Sequence, residues 1–378
     1  MAATPVDSPA TGGAGPAQDA PRGPSTENRR DGPAHTVTRL FVDHRELLFS
    51  VVYNMLGSVA DTEDVLQETW LSWSGKNRRA PLAEIDNPRA YLVRIGVNHA
   101  LARQTAIASR RETYVGPWLP EPLVTDTTAG LAPDTADHAV RVHSVSMAML
   151  VVLETLTPLE RAVFVLNEVF GYPHTEIAGM LDRQPATVRQ LAHRARSHVR
   201  ARRPRYRTHP RVRREAIERF VAAALGGDIR ALMEILAPDV TIWIDGGGAR
   251  QAAGVRPVHG REKAARTLAG YATRRTEDLD IRYRRANGDD AAVLFTGDSP
   301  YAVMVMDLTP DGDQVSGVYI VTNPAKLTRI GPDKLNVPDE VTAPAALNSP
   351  NRPPLESARD RGQAPQLDRD EGTPAGAG

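Results

Sequence analysis

The chain has 378 residues, with 46 lysines and arginines against 46 aspartates and glutamates, and no cysteine. At about 100–200 residues per domain, this length predicts two or three domains with ample core. The missing cysteines exclude a disulfide scaffold, thiolate zinc sites and a cysteine nucleophile, and no apolar run approaches the ~18 residues of a membrane span.

The N-terminus is rich in Ala, Pro, Gly and Asp and lacks an apolar signal core, which points to a soluble protein of the cytoplasm. Residues 1–35 and 338–378 hold 13 of the 30 prolines and few large apolar residues. Such composition buries too little surface to offset chain entropy, so both ends are expected to be disordered tails. Between them the chain reads as a helical domain at 36–112, a linker at 113–143 carrying Pro117, Pro120, Pro122 and Pro133, a second helical domain at 144–205, and a mixed α and β domain at 210–330.

The balanced charge hides polarity. Twelve arginines and no acid lie between Arg183 and Arg214, and five arginines and no acid between Asn87 and Arg111. The stretch from Thr113 to Val140 carries Glu121, Asp126, Asp134 and Asp137 without a lysine or arginine. Two basic segments joined by an acidic one suggest a polyanion touched at two places; solvated helix faces are the plainer alternative, though these usually mix both signs.

In the first helical block Leu47, Leu48, Val51, Val52, Met55 and Leu56 recur with helical spacing before Gly57, a stop signal. Asp61-Thr62-Glu63-Asp64 opens the next helix, acids in its first turn as the helix dipole favours. Val65, Leu66, Thr69 and Trp70 face its core, leaving Asp64, Gln67, Glu68 and Ser72 on other faces. After a loop at Gly75–Asp86, Asn87-Pro88 starts a third helix, proline suiting the first helical position. Tyr91, Leu92, Ile95 and Asn98 are expected on its inner side, with Arg89, Arg94 and Arg103 free to face an anion. Periodicity alone fits a charged helical bundle equally well.

In the second block Thr157, Pro158 and Glu160 spell a helix start, as cap, first position and third position. Ala162, Val163, Val165, Leu166, Val169 and Phe170 form its apolar face, and Gly171 ends it. A short helix from His174 to Leu181, a turn at Asp182-Arg183-Gln184 and a longer helix from Pro185 follow. The longer helix turns Val188, Leu191 or Ala192, Ala195 and Val199 inward. Two helices about a tight turn, the second rich in arginine, describe a helix-turn-helix. Arg189, Gln190, His193 and Arg194 lie opposite the apolar positions, where long donors reach base edges in a major groove. Arg183, Arg200, Arg202, Arg203 and Arg205 read as phosphate contacts, which supply affinity and salt dependence. A basic helix binding RNA or an acidic protein is the alternative.

Beyond residue 210, Ile217, Phe220, Val221, Ala224 and Leu225 outline a helix ended by Gly226-Gly227, and Leu232, Ile235 and Leu236 a shorter one. Val240, Ile242 and Ile244 then alternate with Thr241 and Trp243 before a turn at Asp245-Gly246-Gly247-Gly248. A helix near Arg261–Tyr271 precedes strand-like runs at Leu279–Ala286, Ala291–Thr296, Tyr301–Leu308 and Gln314–Val321, with Asp311-Gly312 turning the last pair. Helices followed by a mostly antiparallel curved sheet predict an α+β cone.

The order Asp61-Thr62-Glu63-Asp64-Val65-Leu66-Gln67-Glu68-Thr69-Trp70, Asn87-Pro88-Arg89-Ala90-Tyr91-Leu92, Leu156-Thr157-Pro158-Leu159-Glu160-Arg161, Glu176-Ile177-Ala178 and Arg194-Ala195-Arg196 resembles the successive signatures of extracytoplasmic-function (ECF) RNA polymerase sigma factors. Trp118-Leu119-Pro120-Glu121-Pro122 narrows the resemblance to the subgroup with a fused C-terminal SnoaL-like domain. It implies a non-enzymatic promoter-specificity subunit, needing no metal or cofactor, whose partners are the core polymerase (β′ and β subunits) and promoter DNA. By that likeness Asp64, Gln67 and Glu68 would dock on the β′ coiled coil. Asn98, the loop Lys76–Asp86 and the nearby Arg89, Arg94 and Arg103 would hold the melted −10 element, a captured base offsetting a few kcal/mol of unstacking. Arg189, Gln190, His193 and Arg194 would read the −35 element, and the acidic linker would thread the polymerase channel.

The resemblance also makes the C-terminal domain regulatory, acting in cis through Asp245-Gly246-Gly247-Gly248 and Asn323-Pro324-Ala325-Lys326-Leu327 on the Trp118–Pro122 segment, with a buried Trp118 as a rigid anchor. The usual subgroup pattern has Lys-Val after the glycines and Asp at the third place of the second motif; here stand Ala249-Arg250 and Ala325. Gly331-Pro332-Asp333-Lys334-Leu335 echoes the second motif. The SnoaL-like fold has a pocket that Trp243, Asp245, His259 and Tyr283 could line around an unknown small ligand. An enzymatic reading would make Asp245 or His259 a general acid or base, as in a cyclase or isomerase. A one-component helix-turn-helix regulator is the other alternative, but it has no use for the first helical block.

Overall fold

A computed structural model describes residues 33–77, 85–112, 114–125, 145–202, 210–248, 256–274 and 279–331. Helices α1 (Pro33–Leu56), α2 (Val59–Asn77) and α3 (Pro88–Glu112) pack on one another. Leu48, Val51, Val52, Met55 and Leu56 are the buried stripe of α1, and the chain leaves it through Gly57 at φ +68°, a conformation glycine adopts freely. The second helix starts two residues before the predicted acids. Its buried side is Val65, Leu66, Thr69 and Trp73, with Trp70 only half-buried; the indole N–H of Trp73 donates to the Val37 carbonyl at 2.9 Å.

Asn87 caps α3 by accepting from the Ala90 amide at 3.0 Å. The buried stripe of α3 is Leu92, Val93, Val97 and Ala100, rotated from the expected Tyr91, Leu92, Ile95 and Asn98; Asn98 is exposed. Gly96 lies on this buried side, where a Cβ would be in ordinary contact with Val52 and Leu48 of α1, at 3.5 and 3.7 Å.

Strand β1 (Val124–Thr125) comes from the linker. Next are α4 (Met147–Leu153), α5 (Pro158–Phe164), which widens into a π-helical turn over Val165–Val169, α6 (His174–Leu181) and α7 (Pro185–Arg202). Thr157 and Glu160 form a reciprocal capping box at the start of α5. The two helical blocks do not have separate cores. One continuous apolar cluster runs from Val37 to Val199, and α3 packs on α5 and α6. Buried Arg161 crosses the seam, donating to the Asn54 carbonyl at 3.0 Å and pairing with Glu154 at 2.5 Å.

The last part comprises α8 (Pro210–Gly226), α9 (Ile229–Ile235), β2 (Leu236–Asp245), β3 (Val258–His259), α10 (Arg261–Arg274), β4 (Asp280–Ala286), β5 (Asp289–Thr296), β6 (Ser299–Leu308), β7 (Val315–Val321) and a 3-10 turn at Pro324–Lys326. The sheet order is β1-β4-β5-β6-β7-β2-β3, antiparallel throughout except between β2 and β7. The four strand-like runs of the sequence are thus consecutive neighbours.

The sheet is covered on both faces because its strands alternate. Ile242, Ile244, Leu294, Met304 and Val318 pack on Ile217, Phe220 and Leu268 of the helices. Val293, Phe295, Val303, Val305 and Val321 point the other way, onto Leu119 of the linker and Met147 and Ala148 of α4. That second apolar core ties the domain to the rest of the chain, since each side chain fully removed from water contributes about 1.5–3 kcal/mol.

Candidate nucleic-acid interface and its linker latch

The helix-turn-helix is built from α6 and α7. Asp182 turns the chain at φ +52°, a left-handed conformation that a short polar side chain tolerates, and the Arg183 amide donates back to the Ala178 carbonyl at 2.9 Å. Val188, Ala192, Ala195 and Val199 are buried and Leu191 half-buried, so Ala192 takes the inward place. Arg189, Gln190, His193 and Arg194 are all exposed on the opposite side of α7, as are Arg183 before it and Arg200 further along. Arg196 belongs to the scaffold, pairing with Glu168 at 2.7 Å. The side chain of Arg202, with Arg203 and Arg205, lies outside the described residues.

On α2 and α3 the expected groups divide differently. Asp64 and Gln67 are exposed and Glu68 half-exposed on one side of α2, and Arg94 and Asn98 are exposed one turn apart on α3. Two arginines also make contacts within the protein. The guanidinium of Arg89 lies 5.7 Å from the centroid of the Tyr172 ring. Arg103 points back to α2: its Nε meets Asp61 at 3.0 Å, one terminal nitrogen pairs with Asp64, and the other lies 3.8 Å from Glu68. The Asp61 hydrogen bond leads the effects that raise the basicity of this guanidinium further. The middle of the loop Lys76–Asp86, residues 78–84, lies outside the described residues.

Residues 114–125 are not a free acidic tether. They run between α1 and the sheet, and Leu119, Pro120, Glu121 and Pro122 are buried. Asp245, at the end of β2 and fully buried, is the hub. Its carboxylate accepts from the Leu119 amide at 2.9 Å, the Gly247 amide at 3.2 Å and the Tyr114 hydroxyl, and it pairs with Lys326 at 2.7 Å. The Lys326 ammonium also donates to the Leu119 carbonyl and sits 4.0 Å from the centroid of the Trp118 ring. Asn323 accepts from the Ala325 amide at 3.1 Å and donates to the Tyr114 hydroxyl at 2.8 Å. Leu327 is buried, whereas Pro324 and Ala325 are exposed. The turn needs its glycines: at Gly247, φ +63°, a Cβ would lie 2.5 Å from the Asn323 side chain.

Glu121 carries the linker onto the first helical block. Its carboxylate accepts from the Val59 amide at 2.8 Å, capping the positive end of α2, and its amide donates to the Gly57 carbonyl at 2.9 Å. Burial raises its carboxyl above the usual range, with the Val59 hydrogen bond opposing most strongly. The Tyr53 hydroxyl donates to the Glu121 carbonyl at 2.6 Å and accepts from Asn287 at 2.7 Å. Asn287 in turn holds Leu123 from both sides, at 3.2 and 3.0 Å.

Tyr114, Tyr53, Asn287 and Arg161 were not anticipated. Asn287 had a signal: Asn287-Gly288, at φ +52° and +80°, is the two-residue hairpin turn between β4 and β5. The others carry none, because the linker, α1 and β2 partners that give them their roles, Glu121, Asn54 and Asp245, are 68, 107 and 131 residues away.

The quartet expected to line a pocket does not converge. Trp243 and Asp245 project from one face of the sheet, where Trp243 stacks on Tyr319 at 4.8 Å. Tyr283 projects from the other, packed on the helix-side core with Arg214 4.6 Å from its ring centroid. His259 sits on the edge strand β3, 3.1 Å from Thr241. The Asp245 carboxylate is closed off from solvent, with its oxygens taken up by partners from the chain itself. Ala249 and Arg250 lie outside the described residues, and of the echoing segment only Gly331 lies within them.

A helix-turn-helix with an exposed row of long donors follows a three-helix block, and the family models cover both and the sheet domain. Sigma-70 region 2 matches residues 40–109, Sigma-70 region 4 matches 146–199, and the SnoaL-like domain matches 217–322. The chain belongs to the ECF RNA polymerase sigma factors. It is 37% identical over 295 residues to "ECF RNA polymerase sigma factor SigJ" of Mycobacterium tuberculosis, covering 75% of this chain and 91% of that protein. It is 28% identical over 365 residues to that organism's "ECF RNA polymerase sigma factor SigG", covering 84% and 89%. The crystal structure of the M. tuberculosis extracytoplasmic function sigma factor SigJ superposes with a TM-score of 0.60 at 32% identity, covering 77% of this chain and 98% of that one. The protein is therefore a promoter-directing sigma factor with a SnoaL-like domain, and the one-component regulator is set aside.

Proposed function

We propose that the chain divides its work among the domains at 36–112, 144–205 and 210–330, joined by the linker at 113–143. Arg189, Gln190, His193 and Arg194 read the −35 element; Arg183 and Arg200, with Arg202 and Arg203, hold its phosphates. Arg94 and Asn98, with Arg89 beside them, meet the −10 region. Asp64, Gln67 and Glu68 dock on the β′ subunit, and the second helical domain meets β. The protein works in the cytoplasm without catalysing a reaction, and its SnoaL-like domain tunes it in cis through the linker.

The observation that carries this reading is the exposed quartet on α7, backed by a continuous buried stripe. Donors on a rigid helix are what base recognition in a major groove requires. The buried carboxylate of Asp245, saturated by the linker, supports regulation over catalysis. The test is run-off transcription from a cognate promoter with core polymerase and the full chain. Specific transcripts that depend on both, and that Arg189→Ala and Arg194→Ala reduce, support it; promoter-specific binding without core polymerase overturns it.

A further inference from the structure

Arg103 lies on α3, which the proposed function sets against the −10 region, yet its guanidinium turns toward α2. Its guanidinium reaches three carboxylates of α2: Asp61 at 3.0 Å, Asp64 in direct contact and Glu68 at 3.8 Å. Of these, Asp61 is mostly buried, while Asp64 and Glu68 keep about half of their side-chain surface exposed. The second oxygen of Glu68 lies 3.2 Å from His99 Nδ1, and the other ring nitrogen of His99 is 3.1 Å from the Ser72 hydroxyl. A polar ladder therefore runs along the seam of α2 and α3, and Arg103 is its central rung.

A planar guanidinium with several fixed donors can hold more than one carboxylate in a set geometry, which a point charge cannot. Anchored through Nε on the mostly buried Asp61, the group is held from below and orders the two exposed acids above it. One positive charge against three negative ones leaves the face net acidic, suited to a cationic partner surface. Acids ordered before docking lose less side-chain freedom on binding.

We infer that Arg103 is a positioning residue for the polymerase-binding face of α2, and not a contact to DNA. The inference rests on the reading of Asp64 and Glu68 as polymerase contacts.

The test measures the affinity of the full chain for core polymerase by fluorescence anisotropy, and the affinity of the assembled holoenzyme, at saturating core, for single-stranded −10 DNA. Arg103→Gln weakens core binding about tenfold and Arg103→Lys about threefold, because lysine holds only one acid well. Neither variant alters DNA binding by the assembled holoenzyme, whereas Arg94→Ala does. In an Asp64→Asn, Glu68→Gln background, Arg103→Gln causes no further loss of core affinity. A mere fold defect would persist in that background, and Arg103→Lys keeps the test alive should Arg103→Gln fail to fold.

Wild-type core affinity in both Arg103 variants, or a loss confined to DNA binding, overturns the inference and leaves the docking role of α2 standing. Failure of the wild-type chain to bind core polymerase overturns both.

Discussion

Asp245 and Lys326, 81 residues apart, form a buried ion pair at 2.7 Å whose members also bind the amide and the carbonyl of the same linker residue, Leu119. Each charge thus satisfies the other and the chain between the helical blocks. Asp245→Asn leaves Lys326 buried beside a neutral amide, and removing one partner of such a pair costs about 3–5 kcal/mol. The variant should lose stability of that order in urea unfolding and lose hydrogen-exchange protection at the Leu119 amide. Unchanged protection there would mean that the latch does not depend on the pair.

Gly247 is the tightest point of the latch, with a positive φ and Asn323 directly above it. Gly247→Ala must open the turn or displace Asn323, at a cost of about 1–3 kcal/mol for the backbone conformation alone. Gly270, where a Cβ would meet nothing within 4 Å and φ is negative, is the control. Thermal melts should separate the two substitutions clearly; equal midpoints would refute the steric account.

Asp307 gives the protein a pH-dependent stability term. Burial pushes its carboxyl up to about 6; nearby Asp289 adds to the rise, while the hydrogen bond from Tyr319 and the charge of Arg213 oppose it. The folded value exceeds the unfolded one of about 3.9. The native state therefore keeps a proton that the unfolded chain releases, and stability falls as pH rises from about 4 to about 6. Asp307→Asn keeps an acceptor for the Tyr319 hydroxyl, 3.1 Å away, and should stabilise the protein by about 2–3 kcal/mol at pH 7 relative to pH 4. Unfolding curves at the two pH values check this, and an identical difference at both would rule it out.

On DNA, the two ends of α7 should behave differently. Arg189→Ala and Arg194→Ala should each reduce discrimination of the cognate −35 element from a scrambled one by about 1–3 kcal/mol. Arg200→Ala should weaken holoenzyme binding to both alike and reduce the salt slope by about one. Competition binding across a salt series distinguishes base readers from phosphate clamps; three matching responses would remove the distinction.

Much of this was written locally. Helix starts at Asn87 and Thr157, stops at Gly57 and Gly171, the five long strands and the outward quartet of α7 all follow from cap chemistry and apolar period. These are contacts between residues a few places apart, so spacing alone reports them. The buried stripe of α3 is offset by about one residue from the apolar pattern, because its inner side includes Gly96, which carries no apolar signal.

What tertiary structure alone decided is where charged and polar side chains end. Arginine on α3 predicts a cation on a surface; only the packing of α3 on α2 turns Arg103 toward carboxylates while leaving Arg94 in the open. Glu121 counts as one acid of a tether in the sequence, yet it caps a helix that starts 62 residues earlier. Asp245 has the local pattern of a turn residue, and its partners come from a linker and a 3-10 turn on either side of it in the chain. Apolar periodicity sets which face of an element is buried, but the partner of a buried charge depends on which distant segment folding brings beside it.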